Sequence, residues 1–191
     1  MNLKHRSGTE PVLTCLRRAT GKLHRRIEER FDAVSELADP SRRPLIIGRY
    51  AAFYSSAHAL LAAMLEGVEG LDFARRTRAW TSTGLFASAA ETVSAFPKPA
   101  DQCEALGHLY VVEGSTLGGR LILRELRARG IADPALSFLD PYGSASGSIW
   151  RSLIAIIERE GSRGPIHLEG LCRGAMRGFT QAETILCGDV R

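Results

Sequence analysis

The run Leu109-Tyr110-Val111-Val112-Glu113-Gly114-Ser115-Thr116-Leu117-Gly118-Gly119-Arg120 sets three glycines in a stretch whose apolar spacing predicts a helix. Each glycine weakens a helix by roughly 1 kcal/mol relative to alanine. A chain that keeps all three needs something in return. Missing β-carbons let a backbone come close to another surface, and a kink there exposes carbonyl and N–H groups that a straight helix keeps to itself. The feature predicts a helix built to lie against a large, flat ligand.

The rest of the 191-residue chain reads as a succession of helices, with no alternating strand pattern and no internal repeat, so the expected fold class is all-α. Leu16, Ala19, Leu23, Ile27 and Val34 recur at helical spacing and predict a first helix over 10–35. Asp39-Pro40 and Arg43-Pro44 predict a turn. A second helix is expected over 46–66, with Phe53, Ala57, Leu60, Leu61 and Met64 as its apolar face and Gly67 and Gly70 as its stop. A third is expected over 72–94, and a fourth, carrying the glycines, over 100–129 with Gly130 at its end. Asp140 to Gly147 is rich in proline and glycine and predicts a loop bordering a site. Two more helices follow over 148–160 and 166–186, the last closing a bundle with Leu168, Leu171, Ala175, Phe179, Ala182 and Leu186.

The length fits one domain spanning 1–191, with 1–9 as a flexible start. The net charge of +4 suits an anionic ligand or an acidic partner. Nucleic-acid binding is not expected, because the chain has no zinc-finger spacing, RNA-binding signature or continuous basic tract. Cys15, Cys103, Cys172 and Cys187 form no CxxC pair and point to neither a zinc nor a dithiol site. The first eight residues lack an apolar signal core and no apolar run has membrane-spanning length, so a soluble, cytoplasmic protein with reduced thiols is expected.

His24 falls at the edge of the first helix's apolar stripe, on the same side as Leu13, Arg17, Thr20 and Phe31. Alone it fits a half-exposed histidine satisfied by water or a carbonyl, and it proves nothing further. Facing a glycine-rich helix, however, a neutral imidazole makes one side of a slot for a planar macrocycle whose iron it ligates, which is a haem site. Arg17, two turns before His24, suits a haem propionate, because its forked guanidinium matches a carboxylate. His58 and His108 are competing ligands, but His108 lies on the far side of its helix and His58 has no glycine neighbour.

At these residues the sequence resembles the haem oxygenase family, in particular bacterial members associated with bacteriophytochromes. Leu16-Arg17-Arg18-Ala19-Thr20-Gly21-Lys22-Leu23-His24 is similar to that family's proximal helix, and Tyr110 to Gly119 to its distal helix. The resemblance implies a haem oxygenase-like bundle with haem between the two helices and His24 as the axial iron ligand. It implies Gly114, Gly118 and Gly119 as the distal wall, Thr20 and Tyr110 among the cofactor contacts, and Arg17 and Arg151 as propionate partners. Arg151 read alone fits an exposed helix arginine as well. Ser115, with Gly114 and Gly118, falls where the family has its catalytic distal residues. Many members carry an acid at that position, and a serine hydroxyl holds a water without supplying a carboxylate's charge. Glu113, one residue back, points about 100° away and is expected at the surface.

The implied activity is O2-dependent opening of haem to biliverdin, carbon monoxide and ferrous iron, with haem as both substrate and cofactor. No Rossmann or flavin motif is present, so electrons would come from a ferredoxin or reductase. Two alternatives stay open: a haem-binding sensor or carrier on the same fold, and a cofactor-free enzyme of the broader fold.

Overall fold

The computed structural model describes residues 10–85 and 98–188, and within them the chain is all-α. The helices are α1 (Val12–Arg30), α2 (Ala33–Ala38), α3 (Arg43–Leu65), α4 (Phe73–Ser82), α5 (Gln102–Ala128), α6 (Ser146–Gly161) and α7 (Pro165–Leu186). Two short 3-10 turns, Pro134–Leu139 and Gly143–Ala145, join α5 to α6. Among the described residues no helix is long and apolar enough to cross a membrane.

Three expectations need correction. The first helix stops at Arg30 rather than running to 35, because Phe31 is extended and Asp32 starts a new helix by accepting hydrogen bonds from the Ser35 N–H and hydroxyl. Arg43-Pro44 is the first turn of α3 rather than a turn between helices, since proline's missing N–H costs nothing there. The third predicted helix ends at Ser82, because Thr83 and Gly84 turn the chain with Gly84 at φ 72°; positions 86–94 of that prediction lie outside the described residues.

Helix α3 runs through the interior. Tyr50, Ala51, Ala52, Phe53 and Tyr54 are consecutive and all buried, which covers more than a full turn and means that neighbours surround the helix. Its end is as predicted, with Gly67 at φ 77° and Gly70 at φ 78° beyond it.

Helix α5 is the second interior helix and packs most extensively against α7. A β-carbon on Gly107 would overlap the Leu171 carbonyl, and one on Gly174 would overlap the Glu104 carbonyl, so the two backbones touch. Such a crossing is open only to glycine. Helix α1 has no side-chain cap of its own. Instead the Glu158 carboxylate of α6 accepts the Val12 and Leu13 N–H groups at 3.0 and 2.9 Å, satisfying two orphan donors across the bundle.

Candidate functional site

A cleft of about 490 Å³ opens between α1 and α5, within the size range of small-molecule sites. His24 and Glu28 of α1 stand on one side, and Tyr110, Gly114, Ser115 and Gly118 of α5 on the other. Tyr50 and Phe53 of α3, Phe179 and Ala182 of α7 and Trp150 of α6 complete the lining. The structure therefore brings the histidine and the glycine stretch to one cavity, as the sequence predicts.

His24 is held from two directions. Arg26 and Arg30 of α1 bind the Glu183 carboxylate of α7, and this docks α1 so that the His24 ring meets Phe179 edge-on, with centroids 5.6 Å apart. Its Nδ1 lies 3.1 Å from Glu28 Oε2. Glu28 thereby selects the tautomer in which Nδ1 carries the proton. Nε2 then offers its lone pair, and it has no hydrogen-bond partner among the described residues.

The glycines of α5 do different jobs. A β-carbon on Gly118 would meet nothing within 4 Å, and one on Gly114 would touch only the Trp150 indole, at 3.7 Å. Gly118 leaves open space in the cleft wall, and Gly114 is bordered there by the indole alone. Gly119 borders the cleft too, but its β-carbon would overlap the Leu139 carbonyl, so packing of the 3-10 turn already requires glycine there.

Ser115 lines the cleft with its hydroxyl committed. Oγ lies 2.6 Å from the Val112 carbonyl and 2.6 Å from the Tyr54 hydroxyl. Burial pushes the Tyr54 phenol far above its ordinary value, so it stays protonated and donates to Ser115. One lone pair of the serine oxygen is left for a water or ligand.

The other predicted residues divide. Burial raises the Tyr110 phenol, and the Arg17 guanidinium beside it opposes the rise, which sets the exposed Arg17 next to a cleft residue. Thr20 is buried and its hydroxyl donates to the Leu16 carbonyl, so it does not line the cleft. Arg151 is exposed and lies against Gly147, while its neighbour Trp150 is the cleft residue. The loop at 140–147 contributes nothing to the cleft wall. His108 is fully buried against α7, and burial lowers its pKa to about 4. His58 meets the Thr77 hydroxyl at 2.6 Å and stacks on Phe73, away from the cleft.

Glu113 overturns its predicted surface position. Its side chain is 2% exposed, because α5 is enclosed on that side by Arg76 and Tyr142, which supply the ion pair and hydrogen bond that a buried carboxylate needs. Sequence reading also missed Glu28, although its four-residue spacing from His24 is a legible signal, and it missed Phe179 and Trp150 as cleft residues.

Among the described residues no group of three or more His, Cys, Asp or Glu side chains could hold a metal ion. One imidazole faces the cleft. That donor set suits an iron already held in a macrocycle, and the space without β-carbons at Gly114 and Gly118 suits the macrocycle's flat face.

No protein-family model and no solved structure matches the chain. It is 35% identical over 106 residues to a protein named Heme oxygenase from Xanthomonas campestris pv. campestris (strain 8004), a match that takes in 51% of this chain and 59% of that one. The chain thus spans less than two thirds of this curated relative's length.

Proposed function

We propose that this protein binds haem in the α1–α5 cleft with His24 as the iron ligand. We further propose that it is a haem oxygenase, opening the ring to biliverdin with release of carbon monoxide and iron, as in the bacteriophytochrome-associated branch. The observation that carries the reading is the pairing, across one cavity, of an imidazole with a helix face stripped of β-carbons. The similarity to a protein named Heme oxygenase supports it.

When bound, haem supplies the iron at which O2 is activated, with electrons from an external donor such as a ferredoxin or reductase. The chain's own residues do the rest. Glu28 and the Phe179 edge fix the His24 ring, so that Nε2 keeps one direction. Gly114 and Gly118 let the ligand lie against the α5 backbone. Ser115, with Tyr54 behind it, holds a hydroxyl at the cleft wall where a water can be anchored and a proton passed. Tyr110 and Arg17 offer a hydroxyl and a guanidinium to a carboxylate of the ligand. Phe53, Ala182 and Leu186 exclude water.

The test is a hemin titration of wild type and His24→Ala, followed by ascorbate or a ferredoxin system under air. The expected result is a His24-dependent Soret band that decays as a biliverdin band grows. A stable His24-dependent band without product would replace the oxygenase with a haem sensor or carrier. The same spectrum in both proteins would remove His24 as ligand.

A further inference from the structure

The most enclosed ion pair among the described residues lies directly behind one end of the cleft. Arg76 of α4 and Glu113 of α5 have side chains 5% and 2% exposed, with Arg76 Nη1 3.0 Å from Glu113 Oε1. The Tyr142 hydroxyl donates to the same carboxylate oxygen at 2.8 Å. Arg76 Nη2 reaches onward to the Ile149 carbonyl at 3.3 Å and the Ser152 hydroxyl at 3.4 Å on α6. The reaction as read above uses none of these groups.

Their positions in the chain give them a meaning. Glu113 immediately precedes Gly114, and Ile149 immediately precedes Trp150. The network therefore ties the α5 backbone just before Gly114 to the α6 backbone just before the indole that packs over that glycine. That indole lies 3.7 Å from where a Gly114 β-carbon would be and packs on Tyr110, with centroids 5.5 Å apart. A buried ion pair is a poor source of net stability, because its desolvation cost offsets much of its attraction and an apolar replacement is often neutral or better. What it fixes is geometry, since a guanidinium fork held between two helices admits few arrangements.

We propose that Arg76, Glu113 and Tyr142 are positioning residues that fix Trp150 over Gly114, setting where a ligand stops along α5 and which of its edges lies beside Gly114 and Gly118. The proposal rests on the reading of this cleft as a haem site and adds what determines the ligand's seat within it.

The test replaces the network by apolar residues, R76M/E113L/Y142F, so that no buried partner is left alone, and combines this with W150A. Three readouts are taken: the fluorine NMR spectrum of ligand-free protein carrying 5-fluorotryptophan, with the Trp150 signal assigned by W150F; hemin affinity; and the biliverdin isomers formed. The expected result is a folded triple variant whose Trp150 resonance shifts or splits. Its hemin affinity falls five- to tenfold when Trp150 is present and less than twofold in the W150A background, and its isomer mixture broadens. An unchanged Trp150 resonance, or equal losses in both backgrounds, would overturn the proposal. Should the triple variant unfold, R76K serves in its place. It keeps the charge but loses the fork, and the same resonance and coupling decide. Failure of wild type to bind hemin would overturn the haem reading instead, leaving the fluorine spectrum to decide the clamp.

Discussion

His24 Nδ1 and Glu28 Oε2 lie 3.1 Å apart, one helical turn from each other on α1, with side chains 56% and 64% exposed. At that exposure the pair contributes a few tenths of a kcal/mol to folding at most. Its consequence is orientation of the imidazole. Glu28→Ala should leave the thermal midpoint within about 2 °C and weaken hemin binding on the order of tenfold, measured by Soret titration. Unchanged affinity would separate Glu28 from the site.

Gly118 and Gly119 are adjacent and should respond oppositely to the same change. Gly118→Ala meets nothing within 4 Å and gains helix propensity, so urea unfolding should show stabilisation by about 1 kcal/mol. The added methyl enters the cleft and should weaken hemin binding. Gly119→Ala must displace the Leu139 carbonyl and should destabilise by roughly 1–3 kcal/mol. If both variants destabilise alike, Gly118 has a packing role rather than an open face.

Ser115 and Tyr54 share a hydrogen bond of 2.6 Å, but they do not depend on it equally. Ser115→Ala leaves the buried Tyr54 hydroxyl without its acceptor and should cost about 1–3 kcal/mol. Tyr54→Phe leaves Ser115 donating to the Val112 carbonyl and should cost less. Denaturant midpoints give the order, and a larger loss in Tyr54→Phe would contradict it.

His108 should make stability fall in acid. Burial lowers its folded-state pKa from 6.5 to about 4, so between those values the unfolded chain takes up a proton that the folded chain refuses. The stability that neutral His108 allows is complete above about pH 6.5. It is lost as pH falls towards 4, at no more than about 1.4 kcal/mol per unit. Proton NMR should show the His108 ring untitrated at pH 5.5, and His108→Gln should flatten the stability profile over this range. A ring that titrates near 6.5 would contradict its burial.

Glu158 should matter to α1 although 146 residues separate it from Val12. Glu158→Ala removes the acceptor of two N–H groups and should cost about 0.5–2 kcal/mol. Amide exchange should quicken first at Val12 and Leu13, and unchanged exchange there would show that water caps the helix as well.

The sequence alone determined the all-α class, the extents of α3, α5, α6 and α7 to within a few residues, and two stretches that meet at one cleft, His24 and the glycine run. These are local signals. Apolar spacing, glycine stops and the departure from helix propensity are all set within a few turns of the chain. Only the tertiary structure decided which glycine is open and which is packed. Gly118 and Gly119 are identical in sequence terms, and they differ because the Leu139 carbonyl arrives from a turn some twenty residues away. It likewise placed Glu113 in the interior, because Arg76 and Tyr142 come from separate elements to pair with it and to donate a hydrogen bond. It left Thr20 and Arg151 off the cleft wall and put Trp150 on it. Periodicity reports which way a side chain leaves its own helix, whereas burial and charge depend on what the other helices bring to meet it.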